Sequence, residues 1–205
     1  MKKLRVPYKR AFDLMVLITS HLALAPIWLL LWTSIPLLIK LGDGGAVFYS
    51  QYRAGKDNKP FLYRKFRTMV EDAENIGLVW TSSNDPRITP VGKFLRKTAM
   101  DELPGVLSIW VGDMSLVGPR ALPCREQEIL EKEIQGFRDR LKVAPGLTGL
   151  SQVYNKEDAN NLKLRLDTEY IEMMNIALDI KLILLSVKNT LFARWDGREG
   201  KNTTD

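Results

Sequence analysis

Residues 14–39 read LMVLITSHLALAPIWLLLWTSIPLLI, 26 consecutive positions without a formal charge, 19 of them hydrophobic. The run is too long and too apolar for a soluble core helix, and it meets the length of a transmembrane segment. A cleaved signal peptide has a shorter apolar core and a small-residue cleavage site, so that reading is set aside. As one straight helix the run would extend about 39 Å, against roughly 30 Å of hydrocarbon. Pro26 falls in its middle, where the ring removes a backbone hydrogen bond and clashes with the preceding turn. The halves 14–25 and 26–39 would each be only about 18–21 Å long, so neither spans a bilayer alone. A bent pair enters and leaves by the same face, provided the freed backbone groups find partners. Lys2, Lys3, Arg5, Lys9 and Arg10 precede the run, and Lys40, Arg53, Lys56 and Lys59 follow it. Basic residues on both flanks place both on the cytoplasmic side, which a single crossing would violate. One kinked spanning helix stays open as the alternative, because proline is tolerated there.

Outward from this segment, 205 residues leave room for one further domain of ordinary size. The reading is a membrane helix with its basic flank over 1–41 and one domain over 42–205. A charged share of 26% and a hydrophobic share of 45% exclude disorder. Cys124 is the only cysteine and His21 the only histidine. No internal disulfide, histidine triad or clustered zinc site follows from such a chain. Residues 1–100 carry 16 basic and 7 acidic side chains, a balance of +9; residues 101–205 carry 14 and 17, a balance of −3. The front half calls for an anionic partner.

The glycine-rich turn 41–45 ends the membrane segment. Residues 46–51 and 61–66 are aromatic and β-branched runs separated by 55–60, which predicts a β-hairpin. From Arg53 to Arg67 there are six basic residues against Asp57. Beside a membrane anchor such a strip suits anionic headgroups or a phosphorylated substrate. The pattern further predicts a short helix over 69–76, a polar loop over 81–90, and helices over 91–99, 103–111 and 122–143. It predicts a tight turn over 145–149 and one or two amphipathic helices over 161–195. Phe192, Arg194 and Trp195 at the end of the last suit a membrane interface, and equally a tail packed on the core. The fold class is therefore α+β and mostly helical, with a small hairpin and interfacial helices around one domain.

The stretch Lys93-Phe94-Leu95-Arg96-Lys97-Thr98-Ala99-Met100-Asp101-Glu102-Leu103-Pro104 concentrates the chemistry. Two adjacent carboxylates need counter-charge to be buried together, and Lys93, Arg96 and Lys97 lie just upstream. Pro104 suits the first turn of a helix, so the pair could simply begin one. Downstream, Gly112-Asp113-Met114-Ser115 and Gly118-Pro119-Arg120 present another cation in a glycine-framed turn. A carboxylate near a helix start, ringed by cations and beside a second carboxylate, suits phosphoryl transfer: one acid attacks phosphorus, the other holds Mg²⁺. Neither a P-loop nor a dinucleotide-binding glycine fingerprint is present.

The ordered motifs Lys65-Phe66-Arg67-Thr68-Met69, Asn84-Asp85-Pro86-Arg87-Ile88-Thr89, Asp101-Glu102-Leu103-Pro104, Gly112-Asp113-Met114-Ser115, Gly118-Pro119-Arg120 and Pro145-Gly146-Leu147-Thr148-Gly149 resemble those of the bacterial sugar transferases, the monotopic phosphoglycosyl transferases. The resemblance runs from about Lys9 to Trp195. It implies transfer of sugar-1-phosphate from a UDP-sugar to polyprenyl (undecaprenyl) phosphate at the cytoplasmic face of the bacterial inner membrane, with release of UMP. It also implies a re-entrant helix broken at Pro26 and a minimal catalytic form. By position Asp101 resembles the nucleophile, Glu102 the adjacent Mg²⁺ ligand, and Arg96 and Arg120 phosphate-binding arginines. Lys65 and Arg67 join them as expected phosphate contacts. Three positions depart from the pattern: Ala121 stands where a second proline would stiffen the chain after Arg120, Ala25 stands where a serine would precede Pro26, and Gly105 replaces a bulkier polar residue.

The competing reading is a binding module on anionic lipid that has lost its chemistry. A nucleic-acid binder rests on the pI of 9.4 alone and lacks a recognition motif, so nucleic acid is not an expected partner. Phospholipid is an expected partner, and a second copy of the chain stays open as one.

Overall fold

The computed structural model describes residues 7–71, 73, 85–155 and 158–195. Helices dominate, around two small two-stranded sheets. The apolar run forms two helices, α1 (Pro7–Ala23) and α2 (Ala25–Asp43), parted at Leu24, whose φ of −113° and ψ of 25° leave the helical region. Pro26 lies in the first turn of α2, where its missing N–H costs nothing. Gly44 ends α2 in the left-handed conformation at φ 71° and returns its N–H to the Lys40 carbonyl. By length and composition α2 is able to cross a membrane, and only 11% of its apolar window is buried, unlike a core helix. Leu22, Ile27, Leu29, Leu30, Leu37 and Leu41 are all more than half exposed. At about 1.5–3 kcal/mol for each such side chain, a surface of this kind demands an apolar environment.

The opposite face of the pair is bound to the body of the protein. Leu17 joins Phe61, Tyr63, Val106 and Ile109 in one core, while Ile35 and Ile39 pack with Phe66 and Leu95 in another. Arg10 donates to the carbonyls of Ile109 and Trp110. Lys9 donates to Val117 O, Tyr170 Oη and Asp179 Oδ2 at 2.6–3.0 Å, and Asp13 accepts from Leu116 N. At the far end of the pair Asp43 meets the Arg67 guanidinium. Both ends of the apolar segment are thus tied to one body.

The hairpin pairs β1 (Phe48–Ala54) with β2 (Pro60–Phe66), antiparallel, with Arg53 opposite Phe61 and Tyr49 opposite Lys65. The first strand covers 48–54 rather than the expected 46–51, because the ladder to β2 continues through Tyr52, Arg53 and Ala54, opposite Leu62, Phe61 and Pro60. Met69, expected in a helix over 69–76, instead bridges Ile88 antiparallel; positions 72 and 74–76 lie outside the described residues. So do positions 81–84 of the expected polar loop and Lys2, Lys3 and Arg5 of the basic flank. Asp85 and Arg87 form a buried two-residue ion pair, and Arg87 Nη1 reaches the Ala73 carbonyl. Thr89 then caps α3 (Pro90–Thr98) by accepting from Gly92 N at 2.9 Å.

A 3₁₀ turn, Met100–Gly105, carries Asp101 and Glu102 and leads into α4 (Val106–Val111). Two further strands, β3 (Ser115–Val117) and β4 (Gly146–Thr148), pair in parallel. The expected turn over 145–149 is therefore largely strand. The single helix expected over 122–143 is broken: α5 (Cys124–Glu133) ends at extended Ile134, Gly136 takes φ 80°, and a 3₁₀ turn covers Phe137–Lys142. Helices α6 (Leu150–Tyr154), α7 (Asn160–Met173) and α8 (Ile176–Leu191) complete the fold. Asn175 caps α8 through Leu178 N, and Tyr170 and Leu182 close the core between the last two helices.

Candidate active site

Hairpin alternation decides which basic residues of the 53–67 strip face inward. The inner face holds Arg53, Phe61, Tyr63 and Lys65, while Arg64 points out. That face lies on the 3₁₀ turn carrying the two carboxylates. Ala99, left-handed at φ 52°, takes the N-cap position with no side-chain cap, so Asp101 is not a capping residue. It is buried at 6% exposure, with Lys65 Nζ 3.9 Å from Oδ2. Glu102 faces Arg120, which grips it with both terminal nitrogens, Nη2 at 2.5 Å from Oε1 and Nη1 at 3.4 Å from Oε2.

The neighbours hold the two acids in different states. Burial pushes the Asp101 carboxyl up to about 6, and the charge of Glu102 adds to this, while Lys65 and Arg96 act in the opposite direction. Burial opposes ionisation of Glu102 as well, yet Arg120 and then Arg53 outweigh it and hold the carboxyl down at about 2. Glu102 is therefore a fixed anion. Asp101 is ionised at neutral pH but poorly stabilised, the condition that makes a carboxylate reactive toward phosphorus.

Arg120 owes its position to glycines. A Cβ on Gly146 would lie 2.0 Å from Gly118 N, and one on Gly149 would lie 2.1 Å from Gly118 O. Only glycine lets these two backbone segments meet, and the Arg120–Gly146 bridge continues the contact beyond β3 and β4. The carbonyl of Arg120 accepts from Arg140 Nη2 at 2.7 Å, and that of Ala121 accepts from Arg53 Nη1 at 3.1 Å. Two buried guanidiniums thus hold the chain where a second proline is missing. Arg140 is itself paired with Asp167, which accepts from Ser151 Oγ at 2.6 Å.

The structure brings Lys65, Asp101, Glu102 and Arg120 together. Arg96 lies partly exposed on α3, acts electrostatically on Asp101, and has no hydrogen-bond or ion-pair partner among the described residues. Arg67 is placed elsewhere: it pairs with Asp43, donates to the Ala46 carbonyl at 2.5 Å, and ties the hairpin to the end of α2. The sequence reading did not single out Arg53 as a site residue, or Tyr63, Arg140, Ser151 and Asp167 at all. Strand alternation carries the signal for Arg53 and Tyr63. Nothing local marks the Arg140–Asp167 pair, whose members are 27 positions apart.

Among the described residues no group of three or more His, Cys, Asp and Glu side chains gathers to hold a metal. Glu102 spends one edge on Arg120 and keeps lone pairs for a hard cation, which suits Mg²⁺ bound by one carboxylate and by phosphate oxygens.

Residues 4–193 match the sequence model of a family described as bacterial sugar transferase. The chain is 37% identical over 196 residues to the undecaprenyl-phosphate glucose phosphotransferase of Komagataeibacter xylinus, covering 91% of this chain and 36% of that protein. It is 33% identical over 202 residues to the exopolysaccharide production protein ExoY of Sinorhizobium fredii, covering 91% of this chain and 86% of that protein. It is 35% identical over 185 residues to the UDP-glucose:undecaprenyl-phosphate glucose-1-phosphate transferase of Escherichia coli, covering 87% and 39%. The chain thus spans little more than a third of the first and third of these relatives and most of the second.

Proposed function

The chain belongs to the bacterial sugar transferase family, and from that premise we propose that it transfers sugar-1-phosphate from a UDP-sugar to polyprenyl phosphate through a covalent intermediate on Asp101. The observation that carries this reading is the adjacent pair of buried Asp101 and half-buried Glu102, with each carboxylate facing its own cation. Asp101 Oδ attacks the sugar-bearing phosphorus. The bond from that phosphorus to the bridging oxygen breaks, and UMP leaves with the electron pair. A phosphate oxygen of the polyprenyl acceptor then attacks the same phosphorus, and the bond to Asp101 breaks to restore the carboxylate. Lys65, Arg96 and Arg120 are the cations available to charge building on the phosphate oxygens. Glu102 would hold Mg²⁺, which when bound supplies charge neutralisation to the diphosphate.

The apolar pair α1–α2 is read as re-entrant from the cytoplasmic face of the inner membrane. The break at Leu24 supports this, as does the attachment of both ends to one body through Arg10 and Asp43. The proposed role is the membrane step that starts a surface polysaccharide. Release of UMP from a panel of UDP-sugars, with polyprenyl phosphate as acceptor in detergent, tests the reading. Acceptor-dependent turnover that is lost in EDTA and restored by Mg²⁺ is expected. Absence of UMP release with every donor would leave a binding module.

A further inference from the structure

We infer that Arg53 seats the phosphate monoester that leaves and enters opposite Asp101, first that of UMP and then that of the polyprenyl acceptor. Arg53 is only 7% exposed, and among the described residues its guanidinium makes one hydrogen bond, from Nη1 to the Ala121 carbonyl at 3.1 Å. Nε is buried without a hydrogen-bond partner. The guanidinium lies 4.2 Å over the Tyr63 ring, which steadies the cation without taking up its N–H groups. Gly105 makes room for that ring, since a Cβ there would come 2.6 Å from Tyr63 Oη and 2.9 Å from its Cε2. Glu102 and Glu126 act on Arg53 through their charge but form no ion pair with it among the described residues, and Glu102 is already gripped by Arg120. Buried charges in folded proteins are paired and hydrogen-bonded, because desolvating an unpaired one is expensive. A guanidinium kept this open beside the acid pair is the fixed half of an ion pair whose other half arrives with substrate.

The hairpin sets where that half sits. Arg53 stands opposite Phe61 and leans over Tyr63, one inward-facing position from Lys65, or about 7 Å along the strand. Lys65 faces Asp101, while Arg120 and Arg53 both act on Glu102. Two guanidiniums thus share one carboxylate, and one positive charge is left over. In an in-line displacement the leaving oxygen departs on the side of phosphorus opposite Asp101. Breaking the bond from the sugar-bearing phosphorus to the bridging oxygen leaves the electron pair, and one added negative charge, on the nucleotide phosphate. The acceptor's phosphate oxygen then approaches from that same side, gives its electron pair to phosphorus and releases Asp101 as a carboxylate. One seat therefore serves both phosphates, and the spare guanidinium charge matches the charge that collects there. The inference rests on the proposed covalent intermediate and adds the residue that holds the phosphates exchanged around it.

The test compares binding of UMP and of uridine to the full chain in detergent with Mg²⁺, by ligand-observed NMR. Wild type should bind UMP more tightly than uridine. Arg53→Gln should cut the affinity for UMP about tenfold or more and leave that for uridine unchanged. Arg53→Lys keeps the charge and loses the planar fork, so it should fall between the two, and it carries the same comparison if the glutamine variant does not fold. The isolated sugar-phosphate adduct gives a second readout. Its discharge by polyprenyl phosphate should slow about 10- to 100-fold in Arg53→Gln. Its hydrolysis by water brings no phosphate to the seat and should keep the wild-type rate. Unchanged UMP affinity in both variants would overturn the inference, as would equal weakening of UMP and uridine, or equal slowing of discharge and hydrolysis. If wild type forms no adduct while Arg53→Gln still loses its preference for UMP over uridine, the phosphate seat stands and the covalent reading falls.

Discussion

Asp101 and Glu102 are adjacent in sequence and are driven in opposite directions by the side chains that face them. The sign of the resulting stability effect is fixed. A buried carboxyl raised from 3.8 to about 6 makes ionisation costlier in the folded than in the unfolded state, so stability falls as pH rises through that window and stays reduced above it. Asp101→Asn removes the cost. In EDTA the variant should unfold at higher temperature than wild type at pH 8, by on the order of 1–3 kcal/mol, and the gap should close by about pH 4. A variant no more stable at pH 8 would mean that Asp101 is not strained by burial. Arg120→Lys keeps the charge and loses the two-pronged grip on Glu102, so turnover should drop about 10- to 100-fold with the protein still folded by circular dichroism. At this scale the sequence was informative where chemistry is local. The acid pair and its nearby cations stand out by spacing, and the structure brings Lys65 and Arg120 to them. Arg67 looks equivalent to Lys65 in sequence, but it lies beyond the last residue of β2 and turns to Asp43 instead. Arg53 entered the reading as flanking charge and as the first member of the basic strip, not as a site residue, because its role depends on which face of a strand it occupies.

The elements that position the site were unevenly legible. The hairpin was visible because two runs of aromatic and β-branched residues flank a turn segment, and both form seven-residue strands. β3 and β4 have three residues each, too few for any period, and their pairing joins segments about 30 positions apart. The glycines at 146 and 149 were visible as punctuation, yet their reason is the close approach of two backbones rather than a turn. Gly146→Ala should therefore cost about 2–3 kcal/mol, seen as a thermal shift of roughly 5–10 °C, and should reduce activity by displacing Arg120. An unshifted melting curve would mean that the two segments separate easily. The long helix expected over 122–143 ends at extended Ile134, and Gly136, left-handed at φ 80°, starts the separate 3₁₀ turn that follows. Charge spacing along a helix does not report such a break.

On the scale of the whole molecule, the apolar α1–α2 pair is held at both ends by the body that carries Asp101 and Glu102, which predicts a shared side of the membrane. Cysteines at positions 3 and 42, in a Cys124→Ser chain, should both be protected from an impermeant reagent applied outside intact cells. Labelling of one of them would restore the spanning helix. Pro26→Leu should shift the chain toward that crossing, because the ring that disfavours a continuous helix is gone. Composition and charge made the membrane segment legible without any contact being known, whereas its attachment through Lys9, Arg10 and Asp13 depends on partners about 100 or more positions away. The most direct measurement is the intact mass of the purified chain after incubation with Mg²⁺ and a UDP-sugar that supports turnover, without acceptor. Wild type should gain one sugar-phosphate, located by peptide mapping on Asp101 and discharged on adding polyprenyl phosphate, and Asp101→Asn should gain none. The same mass increase in Asp101→Asn, or its location on another residue, would contradict the assignment of Asp101 as the nucleophile.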